Sequence, residues 1–389
     1  MSERDSGSAT RTLEAAHALT RRTLLKATAA GSIAAMGPWY VREAFSQSGQ
    51  LNWFTWEDYA PKPLVEKFTR ETGIKLNVTV FSSNEEQLNK LRAARGEGFD
   101  LAAPSVPWVG AHVEAGNFQP FDESKLGSMG NMIKSFQSKI GELGGRPGGK
   151  LYCVPTDWGS EALSFNTKAM NLEYGKASFG DLWDSRWTGK MLCRPRSIML
   201  GVGMWWEGKG EIPAGTMAKT YSDQPTMEKY YGQALDFCIK NKKQIGKWWT
   251  STAETQAGFL QEGCVIGMTW DGPINTMRNE GHPVKYLAPK EGALTWVDSV
   301  ALCRGAKNID QAYAFINWML KPENGGIFAV NTGYNSVVTG AEKFTNQNYQ
   351  RNFEETYPGD ALQKLWFQLE EKSWFIAKRQ EFATKLQAA

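Results

Sequence analysis

Eighteen residues, LNWFTWEDYAPKPLVEKF at positions 51–68, constrain this chain more than any other stretch. Leu51 to Phe54 reads as a short buried strand. Pro61 and Pro63 then open a helix, because proline lacks the N–H that the first helical turn leaves unpaired anyway. Between the two lie Trp56, Glu57, Asp58 and Tyr59, two aromatic faces and two carboxylates beyond the C-terminal end of a strand. In open α/β sheets ligands bind at that end. This turn is expected to form one wall of a small-molecule cleft.

The same unit recurs. Residues 74–81 alternate as a strand, Ser83, Asn84 and Glu86 cap a helix over 85–95, and 99–103 is a third strand stopped by Pro104. Ser105 and Trp108 again set a hydroxyl and an indole beyond a strand. Strand and helix alternating at this spacing predict an α/β fold with a mostly parallel sheet. Further strands are expected at 151–155, 162–166, 191–194, 264–270, 284–288 and 296–303. Helices are expected at 109–115, 181–187, 201–206, 226–240, 252–261 (with Gly263 as its C-cap), 309–320 and 325–331. No flexible connector separates the two α/β regions, so strands that cross between them are expected to join them.

Length and charge narrow the function. A chain of 389 residues holds two domains or one large one. Six of its 44 basic and four of its 41 acidic residues precede residue 47, which leaves the remainder at +1. That balance, with no basic stripe among aromatics, argues against nucleic acid as a partner. Sixteen tryptophans are many for this length and suit a binding cleft, although most of them belong in a core. Five scattered cysteines, Cys153, Cys193, Cys238, Cys264 and Cys303, contain no C-x-x-C pair and read mainly as small buried hydrophobes.

The amino terminus is set apart. Thr20-Arg21-Arg22-Thr23-Leu24-Leu25-Lys26 is a twin-arginine pattern, followed by an Ala-rich apolar run too short to span a bilayer and by Ala44-Phe45-Ser46 as a cleavage site. Residues 1–46 are therefore expected to be an export leader, and the mature protein periplasmic.

Catalytic signatures are absent from the sequence. His112 and His282 lie outside H-E-x-x-H, no G-x-S-x-G occurs, and Leu151 stands where the stretch Gly144 to Lys150 would need Ser or Thr to be a phosphate loop. A carboxylate pair such as Asp157 and Glu161 is the remaining catalytic reading, and acids at that spacing are more often caps or surface residues. What recurs is an aromatic with a polar group at successive strand ends: Trp56 with Asp58, Ser105 with Trp108, Trp270 with Asp271, Trp296 with Asp298. Asp157-Trp158 and Tyr334 extend the set. Any one pair can be a core aromatic beside a helix cap. Several at the ends of different strands converge on one crevice. Aromatic walls with carboxylates hold an organic cation through cation–π contact and ion pairing.

At this point the residues resemble a known family. WFTWEDYAPKPLVEKFTRETGIKL is similar to the opening of the periplasmic spermidine/putrescine-binding proteins, the solute receptors of ABC importers. SSNEEQLNKL, FDLAAPS, VPTDWGSEALSFNT, FGDLWDSRWTGK, GMTWDG, APKEGALTWVDSVAL, AYAFINWMLKPEN and GYNS follow in the same order as in that family. The resemblance implies a type II periplasmic-binding-protein fold: two α/β lobes around a ligand cleft, with closure on ligand that an inner-membrane permease reads. It places lobe one at 47–155 plus 271–320 and lobe two at 156–270 plus 321–389. It also implies a monomer without catalytic residues, metal or cofactor. Trp56, Asp58, Ser105, Trp270 and Trp296 stand where polyamine receptors have cleft residues. Other acids of the family are missing. Arg194, Pro195 and Arg196 follow the strand MLC, where the spermidine receptor offers acidic residues, and Pro273 stands where the putrescine receptor has an aspartate. A guanidinium repels a polycation and pairs with a carboxylate. Two ligand readings follow: a polyamine-like cation held by Trp56, Asp58, Tyr59, Ser105, Trp108, Asp157, Trp270, Asp271, Trp296, Asp298 and Tyr334, or a zwitterionic or acidic solute with Arg196 on its carboxylate.

Overall fold

The computed structural model describes residues 49–389, and the leader expected over 1–46 lies outside them. Residues from Gln50 to Ala389 form one compact unit. Its strands are β1 (Gln50–Trp56), β2 (Lys75–Phe81), β3 (Leu101–Ala102), β4 (Cys153–Asn166), β5 (Met191–Cys193) and β6 (Ile245–Trp248). They continue with β7 (Ile266–Trp270), β8 (Val284–Leu287), β9 (Leu294–Leu302), β10 (Asn335–Ser336) and β11 (Trp366–Phe367). The longer helices of the first part are α1 (Lys62–Thr72), α2 (Asn84–Ala93), α3 (Ile198–Lys209), α4 (Gln224–Lys240) and α5 (Thr252–Leu260). Those of the second are α6 (Asp271–Asn279), α7 (Ile309–Met319), α8 (Pro322–Thr332), α9 (Gln347–Thr356) and α10 (Ser373–Ala388).

Local sequence accounts for the element ends. Pro61 caps α1, and Gly73 ends it in the left-handed region at φ 75°, donating its N–H to the Thr69 carbonyl at 2.9 Å. The buried face of α1 is Leu64 and Phe68, one helical turn apart, and Phe68 meets Phe315 and Trp318 of α7 edge-on. Burying two such side chains contributes roughly 3–6 kcal/mol before entropy. Ser83 caps α2 by accepting from the Glu86 N–H, while the Glu86 carboxylate accepts from the Ser82 N–H.

The strands form one curled sheet in the order β2-β1-β3-β9-β4-β7-β5-β6. Both wings are parallel: β1 between β2 and β3, and β5 between β6 and β7, as strand–helix–strand connections require. In the middle, β4 runs antiparallel to β7, β8, β9 and β10. This strand was expected as two pieces, at 151–155 and 162–166. It is continuous, with one register irregularity between Pro155 and Asp157. Asp157-Trp158-Gly159-Ser160 lies in the gap between the two expected pieces, but β9 and β10 supply ladder partners through that polar centre. β4 and β9 thus belong to both wings.

Smaller differences have local causes. The helix expected at 181–187 is two 3-10 turns, Phe179–Trp183 and Ser185–Trp187. Ser178 caps the first and Asp184 the second, so each cap has room for a single turn. Helix α5 ends at Gln261 rather than Gly263, whose φ of 74° instead turns the chain towards β7. All five cysteines are free and buried.

Candidate binding cleft

Strand ends from both wings meet at a cleft whose empty space, its solvent-open mouth included, is about 770 Å³. The β1 end brings Trp56, Asp58 and Tyr59, and the segment after β3 brings Ser105 and Trp108. Opposite them are Arg194 and Arg196 after β5, Thr250 to Thr252 at the start of α5, and Trp270 at the end of β7. Trp296 and Asp298 of β9 and Tyr334 before β10 form the floor.

The rings are mutually braced. Trp56 meets Trp270 edge-on at 6.3 Å, and Trp270 meets Trp249 at 4.7 Å. Tyr334 packs edge-on against Trp296 at 5.1 Å and Tyr59 at 5.9 Å. Gly159 of β4 lies opposite Trp296, where a Cβ would stand 2.3 Å from the indole. The missing side chain is what seats that ring.

Besides the exposed Glu57, two carboxylates in the cleft have no ion pair among the described residues. Asp58 accepts a hydrogen bond from the Thr252 hydroxyl at 2.5 Å, and burial raises its pKa while that bond lowers it. Asp298 accepts from the Tyr59 hydroxyl at 2.6 Å. Burial pushes its pKa up to about 6, against hydrogen bonds from Ser105 and Tyr59 and the more distant charge of Arg194, which favour the ionised form. Asp157 lies directly across the ladder from Asp298, and burial together with that neighbour raises it well above the carboxylate range. The two aspartates hold a shared proton more readily than two charges.

The arginines, by contrast, are matched. Arg194 lies 3.6 Å from Glu161, with its guanidinium over Trp270 at 5.1 Å and Trp249 at 5.6 Å. Glu161 also accepts from the Ser197 hydroxyl. Arg196 pairs with Glu85 of α2 and, at 3.3 Å, with Glu371, and its guanidinium covers Trp108 at 5.1 Å. Arg379 holds Glu371 from the other side. Arg196 faces the cleft, but its charge is already opposed by two carboxylates.

Of the twelve residues expected to bind ligand, ten line the cleft: Trp56, Asp58, Tyr59, Ser105, Trp108, Arg196, Trp270, Trp296, Asp298 and Tyr334. Asp157 and Asp271 do not. Asp157 sits behind the lining and accepts from the Thr156 hydroxyl at 2.7 Å. Asp271 opens α6 and accepts from the Ser160 and Gly272 N–H groups, the Asn335 amide and the Tyr357 hydroxyl, so it ties β4, α6 and β10 together. Its neighbour Trp270 points the other way, as alternate residues at a strand end do. Sequence reading did not single out Thr250 to Thr252. They too follow a strand and open a helix, but they carry hydroxyls and lack the aromatic-and-acid pattern of the other strand ends. Arg194 was noticed only as a departure. Its stacking partner Trp249 is distant in sequence and carried no signal.

Comparisons with known proteins bear on the family and the fold. A family model described as bacterial extracellular solute-binding protein matches residues 63–354. The spermidine/putrescine-binding periplasmic protein of Escherichia coli (strain K12) is 29% identical over 295 residues, covering 75% of this chain and 79% of its own. The putrescine-binding periplasmic protein PotF of the same organism is 27% identical over 328 residues, covering 81% and 85%. The spermidine/putrescine substrate-binding protein PotD of Streptococcus pneumoniae superposes with a TM-score of 0.68 at 24% identity, covering 87% of this chain and 98% of its own. The agropinic acid complex of AgtB from A. tumefaciens R10 superposes at 0.65 with 18% identity, covering 88% and 99%. The last two likenesses establish the two-lobed binding-protein fold and leave the ligand open.

Proposed function

Because the chain belongs to the bacterial extracellular solute-binding protein family, we propose that it is the receptor of an ABC importer for a polyamine-like organic cation. The observation that carries the reading is the charge pattern of the cleft. Each arginine is paired with a carboxylate of the protein, whereas Asp58 and Asp298 have no ion pair and stand beside the indoles of Trp56 and Trp296. An ammonium group supplies the missing partner, through charge-assisted hydrogen bonds and the faces of the rings. The names of the curated relatives support the same ligand class. The protein acts in the periplasm after export by the twin-arginine leader at 1–46, binds without turnover as a monomer, and passes its solute to an inner-membrane permease.

The test is a thermal-shift screen of putrescine, spermidine and monoamines beside amino acids and dicarboxylates. A ligand at a hundred times its Kd adds about 2.7 kcal/mol of stability and raises Tm readably. If no amine moves Tm while a simple dicarboxylate does, the reading is wrong.

A further inference from the structure

Two of the four tryptophans lining the cleft already carry a cation. Arg194 covers Trp270 and Arg196 covers Trp108. Among the described residues no cationic group lies over Trp56 or Trp296. The cation positions over Trp270 and Trp108 are thus filled by the protein, and the part left for an incoming ammonium lies at Asp58 and Asp298. A second ammonium on the same ligand would find those two indole faces already taken by guanidiniums.

Hydrogen-bonding capacity points the same way. The donors at the far end of the cleft are guanidinium N–H groups, which seek oxygen acceptors. Arg194 keeps donors to spare, since the carboxylate it pairs with, Glu161, is 3.6 Å away. An ammonium is a donor only and satisfies none of these groups. An oxygen acceptor does.

Resting on the receptor reading above, we propose that Arg194 and Arg196 take the place of one cationic end of the ligand, so that the cleft selects a monoamine bearing an oxygen acceptor at its far end. Arg194 is the specificity-determining residue. Arg196 is held by Glu85 and Glu371 together, whereas Arg194 shares Glu161 with the Ser197 hydroxyl and stacks on a ring of the cleft wall.

Isothermal titration of the purified protein with putrescine, N-acetylputrescine and 4-aminobutanoate tests this directly. At least one of the two acceptor-bearing monoamines binds tenfold or more tighter than putrescine, and which of the two leads tells whether the acceptor is an amide or a carboxylate. In Arg194→Gln the order moves towards putrescine by a similar factor. Putrescine binding as tightly as, or tighter than, both monoamines overturns the inference while leaving the receptor function standing. An unchanged order in a folded Arg194→Gln variant overturns the assignment to Arg194. If the variant does not fold, the order in the unaltered protein decides alone. Absence of binding by all three removes the amine reading, and this inference with it.

Discussion

At the scale of single residues, the cleft is governed by where protons and charges reside. Asp298 is pushed up to about 6 by burial. Above that pH it is ionised and attracts a cation; below it the carboxyl is neutral and the attraction is lost. Amine affinity is therefore expected to fall as pH drops from 7 to 5, by at most about tenfold per unit for one coupled proton. Asp298→Asn is expected to bind more weakly at pH 7, by tenfold or more for a lost charged hydrogen bond of about 1.5–3 kcal/mol, and to show a flatter profile. Titrations at three pH values check both, and an equally steep profile in the variant would assign the proton elsewhere. Asp58 and Asp298 were legible as candidates because each follows an aromatic near a strand end. Which acids have an internal cation was not legible, because Glu85, Glu161 and Glu371 are remote in sequence from the arginines they oppose.

Elements set the positions of these residues, and β4 does so most. Its Gly159 allows the Trp296 indole to lie against the backbone. Gly159→Ala puts a Cβ into that ring, and overpacking of this kind costs about 1–3 kcal/mol. The expected result is a lower Tm with a displaced Trp296 and at least tenfold weaker ligand binding. Unchanged affinity would mean that the indole is not a binding wall. Asp271, at the start of α6, is held at about 7 by burial against its four hydrogen bonds. Its folded pKa exceeds the unfolded value of about 3.9, so the folded state retains a proton that the unfolded state has released. Stability from this group is greatest at low pH and declines between about pH 4 and 7, by no more than about 1.4 kcal/mol per unit. Urea denaturation of Asp271→Asn across that window should show a shallower decline. Local pattern foresaw α1 and α2 with their caps, because capping acts over four residues. It divided β4 in two, because ladder partners more than a hundred residues away hold that polar centre straight.

The whole molecule is two parallel wings joined through β4 and β9, with the cleft between strand ends of both. Side chains also bridge the wings across the cleft: Thr252 to Asp58, and Arg196 to Glu85 on one side and Glu371 on the other. Glu371 is fully buried, and burial pushes its pKa up to about 8 against the pull of Arg196, so removing that guanidinium favours the neutral acid while leaving Glu85 without its partner. Arg196→Ala is expected to cost about 1–3 kcal/mol, below the range for an uncompensated buried charge because Arg379 remains and Glu371 can hold a proton. The urea midpoint reads this, and an unshifted midpoint would show that the bridge carries no stability. The same variant removes a positive charge from the cleft and should bind a diamine no worse than the parent chain, corrected for the folded fraction.

By itself, the sequence determined what acts over short distances. Strand–turn–helix units, their prolines and caps, and an aromatic with an acid beyond successive strands follow from residues within a turn or two of one another. Those patterns also carried the family resemblance, because order along the chain is preserved where pairwise contacts are not. Tertiary structure alone decided which acids face the cleft and which lie behind it, since one residue's step along a strand turns a side chain to the other face. It alone decided that Asp271 ties elements together while Trp270 beside it lines the cleft, and that the arginines are opposed from within. Charge compensation is a matter of distance in space, and the partners here are brought together by the curl of the sheet.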